Sequence, residues 1–128
     1  MIIDSHQHFW NYDPIRDSWI DDSMSIIRKN FLPKDLEPIL IENGVDGCIA
    51  VQADQSELET QFLIDCACSN SFIKGVVGWV DLTSKNIDNR LNHFSLNPSF
   101  KGVRHIVQAE KKNYLLRKDV QNGISKLK

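Results

Sequence analysis

The 128-residue sequence has few cysteines and no spacing typical of a disulfide framework. Its three cysteines, Cys48, Cys66 and Cys68, are an odd number, which argues against a secreted disulfide scaffold. We expect Cys66 and Cys68 to be small apolar residues buried in a helix rather than metal ligands. This cysteine usage favours the reducing cytoplasm as the location of the protein.

The sequence also lacks an excess of charge of one sign and lacks long apolar runs. Lysine and arginine together number 15 and aspartate and glutamate 17, so the formal net charge is −2 and the pI is about 6.0. No basic block alternates with aromatic residues, so nucleic acid is not an expected partner. The apolar runs are too short to cross a bilayer, and no signal peptide is recognisable, so a membrane is not expected either.

What the sequence does contain is an alternation of strand-like and helix-like segments. Near-continuous apolar runs predict buried strands, and apolar residues spaced three and four apart predict helices. Four such pairs predict an α/β protein with a parallel sheet, formed by a single domain over residues 1–128. The predicted strands are 1–5, 45–53, 72–82 and 100–107, and the predicted helices are 34–43, 55–70 (with Ser56 as its cap), 86–96 and 113–128, the last one broken near Asp119.

The first predicted strand leads directly into His6-Gln7-His8. Side chains alternate along a strand, so His6 and His8 are expected on the same side and Gln7 on the other. Two imidazoles at a strand end are half of a metal site or of a polar catalytic site, or else two unrelated surface histidines; the spacing alone does not decide. His93 on a predicted helix is interpreted as a surface histidine.

Residues 9–32 form a long irregular segment rich in aromatic residues. Long segments without regular structure in compact domains are often functional. Trp10, Tyr12 and Trp19 either line a pocket or cover one end of the core, and both interpretations stay open.

Several other polar and aromatic residues lie near the predicted strand ends: Gln52, Trp79, Asp81, Arg104 and His105. Arg104 could hold a carboxylate or sugar hydroxyls with its planar guanidinium, or form a salt bridge with a neighbouring strand. Alternation means that Arg104 and His105 cannot both face the same side of the sheet. Asp81 is interpreted as a cap for the turn at Thr83.

Four motifs, in order along the chain, carry a family resemblance: DSHQHFW, LPKDLEPIL with NGVDG, GVVGWVDL and KGVRHIVQ. They resemble the sugar-lactone hydrolases of the amidohydrolase superfamily. These are the L-fuconolactonase-like and L-rhamnonolactonase-like proteins of the amidohydrolase 2 type, which are related to 2-pyrone-4,6-dicarboxylate lactonase. The resemblance implies a TIM (β/α)8 barrel of the metal-dependent hydrolase type. Such a barrel needs roughly 250 residues, so we expect this chain to be its first half, about four βα units, truncated in the fourth helix.

The resemblance also implies a function, the opening of an aldonolactone ring by water. It assigns His6 and His8 as catalytic residues and as ligands of one divalent metal such as zinc, although some relatives use the site with little or no metal. Because a barrel has its active site at the carboxyl ends of its strands, we expect substrate contacts from nearby residues, namely Trp10, Trp19, Gln52, Trp79 and Arg104. The family's other polar catalytic residues lie on later strands, so the activity of this chain alone stays open.

Two other interpretations stay open beside a lactonase with a small-molecule sugar lactone as its partner. The first is a non-catalytic half-barrel that pairs with itself or with a second half, because half of a barrel leaves two sheet edges and one sheet face exposed. The second is a related metal-dependent decarboxylase or hydratase.

Overall fold

The computed structural model describes residues 1–127 and contains a four-stranded parallel sheet with strand order β1-β2-β3-β4. Each strand is followed along the chain by a helix, as the alternation in the sequence predicts. The strands are β1 (Ile3–Gln7), β2 (Gly47–Val51), β3 (Ile73–Gly78) and β4 (Phe100–Val103). The α-helices are α1 (Pro33–Glu42), α2 (Glu57–Ser69), α3 (Ile87–Ser95) and α4 (Lys118–Ile124), and short 3₁₀ helices span Asp22–Ile27, Val107–Ala109 and Tyr114–Leu116.

Local signals in the sequence explain where the helices begin and end. Ser56 caps α2, because its Oγ accepts a hydrogen bond from the amide of Glu59 at 3.2 Å. Helix α1 has a proline, Pro33, at its first position, where no amide hydrogen is needed. Gly44, with φ of +67°, follows its end in the left-handed conformation that stops a helix. The predicted cap of α2 and the predicted stop of α1 are therefore confirmed.

Helices α1 to α3 pack against one face of the sheet and form the core with it. Cys48, Ala50 and Val76 on the strands are buried there against Leu40 of α1 and Leu63 of α2. This packing cluster does not include the neighbouring strand residues Ile49, Val51, Gly75 and Val77, of which Val51 and Gly75 are buried and the other two half-buried. Ile49 pairs with Gly75 and Val51 with Val77, so these four share the opposite face of the sheet, which we call the inner face.

The predicted strands are longer than the observed ones at their carboxyl ends. The prediction 72–82 was wrong beyond Gly78, although Val80 and Leu82 are buried. These two residues are apolar because the loop after β3 packs into the core, not because the strand continues. The first strand lies two residues later than the predicted 1–5, so His6 lies inside β1 and His8 directly follows it.

The last helix and one cysteine also differ from expectation. The predicted helix 113–128 is a 3₁₀ turn followed by α4, and the predicted break near Asp119 lies at Arg117, which is extended with ψ of 135°. Lys128 lies outside the described residues. Cys66 packs against the core as predicted, but Cys68 is exposed. Two residues two positions apart on a helix point about 200° apart, so they cannot share the buried face.

No helix within residues 1–127 is long and apolar enough to span a membrane.

Candidate active site

His6 and His8 lie side by side at the carboxyl end of β1. Their ring centroids are 5.0 Å apart in an edge-to-face arrangement. Gln7, between them, pairs with Ala50 of the core face, so the two histidines are on the side of the inner face. The expectation that His6 and His8 share one side of the strand is confirmed.

His8 is fixed by a backbone contact to the neighbouring strand. Its Nδ1 lies 2.8 Å from the carbonyl oxygen of Val51. Because a carbonyl oxygen can only accept, Nδ1 carries the hydrogen and Nε2 keeps its lone pair. Burial lowers the pKa of His8, and the neighbouring His6 and Arg104 lower it further, against the opposing effect of the Val51 contact. His8 is therefore a neutral imidazole near pH 7, with Nε2 free to accept a proton or bind a metal.

A cavity of about 590 Å³ lies beside His8, at the carboxyl ends of the strands. Its walls come from the end of β1, the long segment after it, the loop after β2 and the loop after β4. Parallel strands present their carboxyl ends at one edge of the sheet, so residues far apart in sequence meet there. The lining residues are His8, Trp10, Arg16, Asp17, Trp19, Ile20, Ile27, Ala53, Asp54, Gln55, Glu59, Arg104 and Ile106.

Among the residues singled out in the sequence, His8, Trp10, Trp19 and Arg104 line this cavity. Trp19 is largely exposed, while Trp10 packs on Phe31 with ring centroids 4.6 Å apart. The pocket interpretation of the aromatic segment therefore holds for these two tryptophans. Tyr12 does not line the cavity.

Gln52 lies outside the cavity but is bound to Arg104, which lines it. Gln52 is fully buried, and its Nε2 donates to the carbonyl oxygen of Arg104 at 3.2 Å. In return, Nη1 of Arg104 donates to the carbonyl oxygen of Gln52 at 2.9 Å. Within residues 1–127 Arg104 forms no ion pair, so the expected alternative of a salt bridge to a neighbouring strand is wrong. The other N–H groups of the guanidinium are free to donate hydrogen bonds into the cavity.

Trp79 also lies outside the cavity, in a hydrogen-bonded cluster with His105. Its Nε1 donates to Nδ1 of His105 at 3.2 Å, and Nε2 of His105 lies 2.7 Å from Oε1 of Glu110. His105 stacks on Tyr114 with ring centroids 4.8 Å apart. Arg104 thus lines the cavity while His105 does not, in keeping with the alternation predicted for these two neighbours.

Asp81 has the structural role predicted for it. Its Oδ1 accepts from the amide of Thr83 at 2.9 Å and from the Thr83 hydroxyl at 2.6 Å. His93 lies exposed on α3, also as predicted.

The sequence interpretation missed the polar wall formed by Arg16, Asp17, Asp54, Gln55 and Glu59. Arg16 donates through Nε and Nη2 to the two oxygens of Asp17, at 2.8 and 2.7 Å. Glu59 is 8% exposed and accepts hydrogen bonds from the amides of Ala53 and Asp54. Burial raises the pKa of Glu59 to about 7, although both amides lower it. The capping-box spacing from Ser56 to Glu59 was the one available signal, and it gave no hint of a cavity.

The histidine pair fits two ligands of a metal site but not a complete one. Ligating histidines usually donate their other ring hydrogen to a carbonyl or carboxylate, as His8 does to Val51. Catalytic zinc normally has three protein ligands. The part of the chain up to Leu127 contains no group of three or more histidine, cysteine, aspartate or glutamate side chains placed to hold a metal.

Comparison with known proteins gives the same assignment as the motifs. No family model matches the chain. An L-fucono-1,5-lactonase from Burkholderia ambifaria is 37% identical to it over 106 residues, which are 83% of this chain. The resemblance to sugar-lactonase amidohydrolases is confirmed. This amidohydrolase-like chain spans only 37% of the length of that relative.

Solved structures support the half-barrel fold of the amidohydrolase-like chain. A crystal structure of an amidohydrolase from Burkholderia multivorans with bound zinc matches it with a TM-score of 0.93 and 33% identity, over 98% of this chain and 44% of the other. A probable 2-pyrone-4,6-dicarboxylic acid hydrolase from Acinetobacter baumannii matches with a TM-score of 0.74 and 16% identity, over 98% of this chain and 45% of the other. The second match supports the fold alone. The predicted fold, about four βα units of a TIM barrel, is confirmed.

Proposed function

We propose that the protein is a lactonase-like hydrolase that opens the ester bond of a sugar lactone in the cavity beside His8. The observation that carries this proposal is a neutral, backbone-fixed imidazole next to a cavity that also contains a charged guanidinium and two tryptophans. The similarity to an L-fucono-1,5-lactonase supports the substrate class.

Hydrolysis of a lactone needs a polarised carbonyl group and an activated water molecule. Nε2 of His8 is suited to accept a proton from that water, since Nδ1 is bound to Val51. Arg104 is suited to stabilise the negative charge that develops on the carbonyl oxygen. His6 is exposed and does not line the cavity itself, so its proposed role is that of the second histidine of the pair, with ring centroids 5.0 Å apart.

A divalent metal such as zinc would be held by His6 and His8. When bound, such a metal polarises a carbonyl group and lowers the pKa of its water. The histidine pair supplies two of the usual three protein ligands, and the metal-independent alternative relies on the same Nε2 of His8. Both forms rely on His8, which lines the cavity.

The substrate contacts in the proposal are Trp10, Trp19 and Arg104, because these three line the cavity. Gln52 and Trp79 support the site from outside the cavity. Gln52 holds the backbone of Arg104, and Trp79 is bound to His105. We therefore assign positioning roles to both residues.

A panel of lactones, assayed by proton release with the purified chain, tests the proposal. We expect turnover of a six-carbon sugar 1,5-lactone, and no release of carbon dioxide from carboxylated analogues. Release of carbon dioxide would favour the alternative of a decarboxylase. Absence of turnover with every lactone, by protein intact at His6 and His8, would contradict the proposal.

A second candidate is self-pairing of the half-barrel, and the inner face favours it. Ile49 and Val77 are half-buried apolar residues of this face, and strands β1 and β4 each have one unpaired edge in the described sheet. A second copy could cover this face and close the sheet.

As for location, we propose the cytoplasm, because Cys48, Cys66 and Cys68 are all free.

A further inference from the structure

We propose that Asp54 is the specificity residue of the cavity: its carboxylate accepts hydrogen bonds from ring hydroxyls and so selects a polyhydroxylated lactone over an unsubstituted one. This inference rests on the proposed function, in that a lactone occupies the cavity. Asp54 recognises the ring hydroxyls, whereas His8 and Arg104 act on the ester group.

The backbone of Asp54 is fixed by the first turn of α2. Its amide donates to the carboxyl group of Glu59, and its carbonyl oxygen accepts from the amide of Ser56 at 3.0 Å. Ser56 in turn caps α2 through Glu59. Asp54 therefore lines the cavity from a position that is held on both sides, as a selective contact requires.

The carboxylate of Asp54 differs from the other two acidic groups of the cavity. Both oxygens of Asp17 are occupied by Arg16, and both oxygens of Glu59 accept backbone amides. Asp54 has no hydrogen-bond or ion-pair partner for its carboxylate among residues 1–127. Arg16 directs its donors to Asp17 and to the Asn11 carbonyl, and not to Asp54. A carboxylate with free lone pairs is a strong acceptor for hydroxyl groups.

The remaining lining of the cavity complements a sugar ring. Trp10 and Trp19 offer apolar surface for the carbon–hydrogen face of the ring. Nε1 of Trp10 is buried, so Trp10 offers the ring its apolar surface rather than a hydrogen-bond donor.

The test measures binding, so that it does not depend on turnover. Tryptophan fluorescence is titrated with L-fucono-1,5-lactone and with δ-valerolactone, which has no hydroxyl groups, for the wild type, Asp54→Ala and Asp54→Asn. The readout is the ratio of the two dissociation constants. We expect the wild type to prefer the sugar lactone, and Asp54→Ala to reduce that preference by about 10- to 100-fold, as for loss of a charged hydrogen bond. Asp54→Asn keeps one side-chain acceptor, so its preference for the sugar lactone is expected to lie between those of the wild type and Asp54→Ala.

Asp65→Ala is the matched control, because Asp65 is an exposed carboxylate on α2 that does not line the cavity. It should keep the wild-type ratio. The inference is overturned if Asp54→Ala keeps that ratio, if it weakens both lactones equally, or if the wild type binds neither lactone or shows no preference. A wild type that prefers the sugar lactone without hydrolysing it would contradict the proposed function and leave the role of Asp54 in place.

Discussion

Glu59 is a buried carboxyl group in the cavity wall, and its protonation links the stability of the protein to pH. It lies in the first turn of α2 and accepts hydrogen bonds from two backbone amides of the loop after β2.

Alternation along a strand was enough to predict that His6 and His8 share one side. No local pattern predicts that a helix-capping glutamate also holds a cavity loop, because that contact depends on how the loop at 53–55 folds back.

The stability of the protein should fall as Glu59 ionises. Burial raises its pKa from 4.5 to about 7, so between these values the folded state holds a proton that the unfolded chain has released. The stabilisation is complete below about pH 4.5 and is lost as pH rises through about 7. At roughly 1.4 kcal/mol per pKa unit, the contribution lost between pH 5 and 8 is about 2.5 kcal/mol.

Glu59→Gln removes this ionisation, and urea unfolding at pH 5, 6, 7 and 8 measures the effect. Relative to the wild type, the variant should be destabilised at pH 5, because its side-chain NH2 group cannot accept one of the two backbone amides, and should gain on the wild type by about 2.5 kcal/mol toward pH 8. Glu37→Gln, at an exposed position of α1, should follow the wild-type profile. Parallel profiles for the wild type and Glu59→Gln would show that Glu59 does not titrate in this range.

At the scale of elements, the first turn of α2 holds two loops of the site. Glu59 binds the loop after β2, and its neighbour Thr60 binds the loop after β3. The hydroxyl of Thr60 accepts from the Trp79 amide at 2.7 Å and donates to the Trp79 carbonyl at 2.8 Å. Gly78 leaves room for Thr60, since a Cβ there would lie 2.5 Å from the Thr60 methyl group. The sequence predicted α2 and its cap, but not these cross-contacts, which arise only when the strands are assembled.

Thr60→Val tests this arrangement with almost no change in volume. The substitution leaves the Trp79 amide and carbonyl without their partner in a fully buried position. We expect a loss of about 1–3 kcal/mol in the free energy of unfolding, measured by urea denaturation. Thr60→Ser keeps the hydroxyl group and should retain more stability than Thr60→Val. Equal losses in both variants would mean that the methyl group, not the hydroxyl, is what matters.

At the scale of the whole molecule, the sheet presents two different faces. The core face is covered by α1 to α3, whereas the inner face of Ile49, Val51, Gly75 and Val77 is not part of the core. The order of four βα units follows from the alternation of apolar patterns in the sequence. The curvature that makes them half of a barrel does not, and it was expected only through the family resemblance.

The partly exposed apolar residues Ile49 and Val77 of the inner face predict that the chain associates with itself. Light scattering after size exclusion should give a concentration-dependent dimer, and Val77→Lys should shift it to a monomer by placing a charge on the inner face. Ile41→Lys is the control, because Ile41 is 72% exposed on α1, away from the sheet. A monomeric wild type at every concentration would contradict self-pairing.

The most direct test of the lactonase proposal is a proton-release assay with L-fucono-1,5-lactone on the wild type and on His8→Ala. If His8 accepts the proton of the attacking water or holds the metal that activates it, the wild type is active and His8→Ala loses activity by about 10²- to 10⁴-fold. His93→Ala, at the exposed histidine of α3, should keep wild-type activity. An inactive wild type, or an active wild type matched by His8→Ala, would contradict the proposed site.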